Sequence, residues 1–180
     1  MSISPYKQGA EDGFLFGIYL IVMQLASFLS GRLPLLGLLS FVLVIAVPVV
    51  IYRLMVKYKR GCGGIITFSM LWMYGLVIFA CAGIVSGLVM LIYLKWIDPD
   101  FLHSQVEMLA RLDTSGPFEG MEPSRQLAEN MLANNFIPRA IDVVIEIILL
   151  CITSGSLLSM LLAGILIARL KWKENRLLKR

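Results

Sequence analysis

Apolar positions in this chain come in long unbroken runs, not in the alternation of a half-buried strand or the narrow stripe of a surface helix. The first runs from about Ala10 to Ser30, the second from Leu35 to Tyr52, the third from Ile65 to Leu94 and the fourth from about Val143 to Ala168. A helix needs about 20 apolar residues to cross a hydrocarbon core of about 30 Å, so each run predicts a transmembrane helix. Gly31-Arg32-Leu33-Pro34 predicts a tight turn between the first two, and Gly61-Cys62-Gly63-Gly64 a flexible turn between the next two. Pro48 lies inside the second run and predicts a kink, which a membrane tolerates when neighbours satisfy the freed carbonyl. The third run holds no charge. As a helix it would measure about 45 Å, so it must tilt strongly or project beyond the bilayer.

The segment from 95 to 139, between the third and fourth runs, changes character. Asp98-Pro99 has the pattern of an N-cap followed by proline at the first helical position. Leu102, Val106, Leu109 and Leu112 then recur at helical spacing, with Glu107 and Arg111 as an i,i+4 pair on another face. Thr114-Ser115-Gly116-Pro117 breaks this helix. A second begins near Glu122-Pro123, carries Leu127, Ala128, Met131 and Leu132 along one face, and ends before Pro138. Two short amphipathic helices on the outer membrane surface, or capping the bundle, are expected. The expected fold is therefore all-α and polytopic. It is a single membrane domain over 1–180, with spans at about 10–30, 35–52, 65–94 and 143–168, a helical loop at 95–139, and a basic tail at 169–180.

Composition sharpens the choice of solvent. Apolar residues fill 58% of the 180 positions and charged residues 16%, more apolar surface than a soluble domain of this size can hide. The net charge of +4 could suggest a nucleic-acid partner, but its position argues otherwise. Eleven basic residues, in the tail, after the second run and at Lys7, fall on one side of the membrane. Five fall on the other: Arg32, Lys95, Arg111, Arg125 and Arg139. This bias predicts cytoplasmic termini and an outward-facing loop. The first run is not read as a signal peptide, because Glu11 and Asp12 precede it and its apolar stretch, Gly13 to Ser30, is longer than a usual signal core.

Candidate chemistry is sparse. Cys62, Cys81 and Cys151 lack disulfide or zinc spacing, and His103 is the sole histidine, with no converging ligand on its side. No nucleophile elbow, P-loop or metal motif appears. No cofactor or metal is therefore expected, and the chain is read as a non-enzyme. Small residues recur four apart in three helices: Gly9, Gly13 and Gly17; Gly83 and Gly87; Gly155, Ser159 and Ala163. Such stripes let membrane helices approach closely, here to seal the bundle or, through a leftover stripe, to form a homodimer. Asp142 and Glu146 sit one turn apart at the start of the fourth helix. They complement the helix dipole, or else mark an ion or proton path. Gln24 stands apart from the intramembrane hydroxyls, which bond to their own helix, because its amide needs an interhelical or water partner. Trp72 and Tyr74 would mark where the long third helix leaves the bilayer.

Several short stretches have a familiar pattern. Gly13-Phe14-Leu15-Phe16-Gly17-Ile18-Tyr19, Ala46-Val47-Pro48, Gly63-Gly64-Ile65-Ile66-Thr67-Phe68 and Trp96-Ile97-Asp98 together resemble the Bacteroidetes family of four-helix membrane proteins catalogued as domain of unknown function 4199. The resemblance spans nearly the whole chain. It implies the same architecture and a bacterial inner membrane, and it brings no activity or catalytic residues.

The leading functional expectation is a non-enzymatic accessory or assembly subunit, with the lipid bilayer, other membrane proteins or further copies of itself as partners and no nucleic acid. The alternatives are a small oligomeric transporter or channel with a polar path near Glu146, Asp142 and Gln24, and a membrane enzyme acting on lipid.

Overall fold

The computed structural model describes residues 4–30, 34–62, 66–112, 120–134, 136 and 138–178. The predicted turns at 31–33 and 63–64 and the helix break at 114–117 lie outside the described residues. The helices are α1 (Pro5–Leu29), α2 (Pro34–Gly61), α3 (Phe68–Ile92), α4 (Phe101–Ala110), α5 (Glu122–Ala133) and α6 (Ala140–Leu178), with a π-helical turn at Tyr93–Ile97. Four segments are long and apolar enough to cross a membrane: Pro5–Leu29, Leu35–Gly61, Phe68–Ile97 and Ala140–Leu170. No strand occurs among the described residues. The chain is all-α, of the polytopic membrane type.

Two compact units make up the chain: Met1–Gly87 with Ile147–Arg180, and Leu88–Glu146. In the first unit α3 is the central helix, and small residues decide how closely its neighbours approach. A Cβ on Gly9 would stand 3.0 Å from Val77 Cβ. One on Gly13 would stand 2.9 Å from Cys81 Cβ, and one on Gly17 3.0 Å from Val85 Cβ. The contact at Gly13 is closer than real Cβ atoms come, and those at Gly9 and Gly17 would need the neighbour to shift, so the glycine row is what lets α1 lie this close on α3. Across the opposite contact, Gly155 of α6 faces the Phe79 ring and Ser159 faces Gly75, in each case with no room for a Cβ on the glycine. Gly83 lies more loosely by Cys151, and Ala163 and Gly87 are buried.

Ile51, Met55 and Tyr58 bring the last turns of α2 into the core beside Leu71, Tyr74 and Ile78. The earlier part of α2 is exposed and apolar, through Leu35, Leu38, Phe41, Val42 and Ile45, which is the surface of a helix set in lipid. The helix continues through Pro48. Proline leaves the carbonyl four residues back without its amide, and one residue before that site the Leu43 carbonyl accepts the Tyr19 hydroxyl of α1 at 2.5 Å.

In the second unit the third span ends in the π-helical turn, where the Asp98 amide reaches back to the Tyr93 carbonyl at 3.0 Å. Trp96 and Ile97 are exposed beyond it. Asp98 has φ −141° and ψ 79°, outside the helical region as expected of a residue before proline. The predicted helix at Asp98-Pro99 starts later: the Phe101 amide closes a turn on the Asp98 carbonyl at 3.3 Å, the first helical bond runs from the Ser104 amide to the Asp100 carbonyl at 2.9 Å, and α4 begins at Phe101, with Asp100 in the N-cap position. The Phe101 ring meets Tyr93 edge to face, centroids 5.8 Å apart. Packing joins α4 to α5, and Ala128 is buried. Surface ion pairs run along both helices, Glu107 with Arg111 and Arg125 with Glu122 and Glu129. The hydrogen-bonded Glu122 carboxylate raises the Arg125 pKa above its ordinary value.

Candidate functional site

On α1 the buried positions are Gly9, Asp12, Gly13, Phe16, Gly17, Leu20 and Ala26, and the first six follow the three-and-four spacing of one helix face. Asp12 belongs to that face and is only 2% exposed. A carboxylate held out of water costs several kcal/mol unless donors replace its hydration. Three donors do so here. Tyr74 of α3 donates its hydroxyl to Oδ2 at 2.7 Å. Gln8, one turn earlier on α1, donates Nε2 to the same oxygen at 3.0 Å. Lys57 of α2 donates Nζ to Oδ1 at 3.0 Å. The carboxylate thus joins α1, α2 and α3 at one point.

Its partners are held from behind. The Tyr74 ring stacks on Tyr58 with centroids 4.3 Å apart and planes 9° from parallel, and both rings are buried. The Tyr74 oxygen also lies 3.4 Å from the Leu54 carbonyl, but its single proton goes to the shorter contact, on Asp12. Lys57 differs from the rest, because its side chain is 63% exposed and reaches the carboxylate from the surface of the bundle. A carboxylate has about four acceptor sites and three are occupied, so little acceptor capacity is left for a ligand. The arrangement suits a cross-brace or a proton-accepting point reached through Lys57.

In the sequence Asp12 bears only on the question of a leader peptide, Lys57 is one of the four basic residues after the second run that bear on orientation, and Tyr74 is an aromatic expected at the bilayer boundary. Tyr74 is instead buried in the core, while Trp72 donates to Ser156 Oγ at 3.2 Å. A signal was present: Asp12 stands three residues after Gly9 and four before Phe16, on the same face as the glycine row.

The residues singled out from the sequence lie elsewhere. Gln24 is half-buried on α1, and no side-chain hydrogen bond to it occurs among the described residues. Asp142 and Glu146 are exposed on the first turns of α6, and His103 is exposed on α4. Thr153 and Ser154 donate to carbonyls of their own helix, at 3.0 Å to Leu149 and 2.6 Å to Leu150. Ser159 Oγ is buried without a hydrogen-bond partner among the described residues. Among those residues no three His, Cys, Asp or Glu side chains come together as a metal site would require.

No curated protein and no solved structure matches the chain. A family model does match, over residues 11–167, a range that takes in Asp12, Lys57 and Tyr74 together with all four apolar spans in whole or in large part. The chain belongs to that family, described as protein of unknown function (DUF4199).

Proposed function

We propose that the protein is a non-enzymatic accessory or assembly subunit of a membrane complex. The observation that carries this reading is that three of the roughly four acceptor positions of Asp12 are taken by its own helices. The buried carboxylate of the first unit spends most of its acceptor capacity on Gln8, Lys57 and Tyr74, which ties three helices together and leaves little capacity for a ligand at their junction. The exposed apolar faces of α2 and α6, which include Phe41, Ile45, Leu157 and Leu161, are the surfaces on which lipid, a partner helix or a second copy would pack.

We place the protein in a bacterial cytoplasmic membrane with both termini inside. The basic bias supports this orientation. So do the bonds from Lys57 to Asp12 and from Arg169 to Tyr52, which bring the start of α1 and the basic ends of α2 and α6 to one level.

Native electrophoresis of detergent-solubilised membranes, paired with reconstitution of the purified chain, tests the reading. A stoichiometric heteromeric particle, together with inert proteoliposomes, is the expected result. A homomer that by itself moves an ion across liposomes would overturn it.

A second reading, a small oligomeric transporter, is favoured by the same residue. An ionisable side chain inside a span is a functional candidate by its position alone, and Lys57 links Asp12 to the surface. In that reading Asp12 carries the proton or ion. The path through Asp142, Glu146 and Gln24 would be a separate one, tested by Glu146→Gln in the same liposomes.

A further inference from the structure

A surface that helix packing does not use lies where α2 meets α6. Pro48, Val49 and Tyr52 of α2 and Leu162 and Ile165 of α6 line a groove of about 280 Å³, with Arg169 at its mouth. Arg169 Nη1 donates to the Tyr52 hydroxyl at 3.1 Å, and its guanidinium stands 5.8 Å from the centroid of that ring. Tyr52 also lines an adjoining recess of about 370 Å³ together with Arg53, Val56, Lys57 and Arg60. The two hollows thus share one wall, one of them apolar and the other basic.

Charge is unbalanced at this place. Neither lining contains an acidic residue. Lys57 is committed to Asp12. Arg53, Arg60 and Arg169 are exposed, and none has a carboxylate partner among the described residues. Depth is also graded. Arg53 follows Pro48 by five positions, about 8 Å along a helix axis, which is within the ~15 Å half-thickness of a hydrocarbon core. With the arginines at headgroup level, the groove beside Pro48 lies at acyl-chain level.

We propose that this surface binds one anionic glycerophospholipid, its phosphate held by Arg53 and Arg169 and one acyl chain laid along the α2–α6 groove. Guanidinium groups match phosphate oxygens in a way that a lysine ammonium does not. A soluble phosphate would leave the apolar groove unused, and a zwitterionic lipid would bring its own cation towards Arg53 and Arg60. Tyr52 stands between the two halves and orients Arg169 by accepting its N–H. This site does not depend on the accessory-subunit reading.

Native mass spectrometry of the full chain, released from detergent with phosphatidylglycerol or phosphatidylcholine of the same acyl composition, tests the proposal. Bound phosphatidylglycerol should exceed phosphatidylcholine, and Arg53→Ala and Arg169→Ala should each weaken it about five-fold. Val49→Trp, which fills the groove at an exposed position without changing charge, should weaken both lipids. Arg111→Ala removes the same charge from α4 and should change nothing. Two results would overturn the proposal: equal retention of the two lipids, or an Arg111→Ala loss as large as that of Arg169→Ala, the mark of non-specific attraction. Retention unaffected by Val49→Trp would overturn the groove's part in it.

Discussion

Tyr74 donates its hydroxyl to Asp12 Oδ2 at 2.7 Å, from a ring stacked flat on Tyr58. The hydroxyl cannot swing away to follow water, so it acts as a fixed donor facing a fixed carboxylate. Lys57, the third donor, has a side chain largely in contact with the surroundings. The cluster is therefore lopsided: its negative member is trapped and its positive member is not.

That asymmetry predicts unequal costs for the two halves of the ion pair. Lys57→Met leaves Asp12 charged and buried with two donors, and should cost about 3 kcal/mol. Asp12→Asn keeps the shape, and Lys57 can turn outward, so the loss should be about 1 kcal/mol. The double variant should cost less than the sum of the two. Thermal unfolding in detergent micelles reads all three: equal costs for the single variants would contradict the asymmetry, and no cost in either would show that the cluster does not brace the bundle.

The glycines of α6 make a paired test. A Cβ on Gly155 would stand less than 3.0 Å from three atoms of the Phe79 ring, whereas one on Gly164 would meet nothing within 4 Å. Gly155→Ala should therefore destabilise by about 2–3 kcal/mol through overpacking. Gly164→Ala should be neutral, or stabilising by up to about 1 kcal/mol, because alanine is the better helix former. Melting curves of the two variants that move together would contradict the packing of α6 on α3.

The looser contact on the same seam predicts a covalent link. A Cβ at Gly83 would lie 3.7 Å from Cys151 Cβ, close to the ~3.8 Å mean of natural disulfides. Gly83→Cys, made together with Cys62→Ser and Cys81→Ser, should oxidise to a disulfide with Cys151. A mass two hydrogens lighter, reversed by reductant, is the expected signature. Two thiols that stay free under oxidant would mean that α3 and α6 do not meet at this register.

Much of the fold could be read from the chain because membrane spans depend on a coarse property, the length of an apolar run. The four apolar runs correspond to α1, α2, α3 and α6, although α1 starts earlier, at Pro5, α3 begins at Phe68, and α2 and α6 continue beyond their runs to Gly61 and Leu178. Those extensions are basic, and hydropathy does not register residues such as Arg53 or Arg169 that continue a helix beyond lipid. The start of α4 differs from the sequence expectation because Asp98-Pro99 satisfies a capping pattern locally, while the chain there closes a turn from the Phe101 amide to the Asp98 carbonyl before the helix begins. The Asp12 cluster was harder still. Its members come from helices far apart in the chain, and only the side-chain register shared with Gly9 and Phe16 linked Asp12 to the core face. Nothing local to Lys57 or Tyr74 says which carboxylate each would meet.

The second unit offers a prediction of its own, because α5 has two unlike faces. Ala128 is buried, while Leu127, its neighbour in the chain, is exposed. Asp in place of Ala128 would bury a carboxylate without a donor and should open the α4–α5 hairpin by about 2–3 kcal/mol. Hydrogen exchange through both helices should then quicken roughly a hundred-fold, the factor that such a free energy gives. Leu127→Asp places the same charge in contact with solvent and should leave exchange within the hairpin unchanged in detergent. Exchange–mass spectrometry of the two variants distinguishes them peptide by peptide. If Leu127→Asp accelerates exchange as strongly as Ala128→Asp, then the exposed side of α5 is packed against something, and the hairpin is not held by α4 alone.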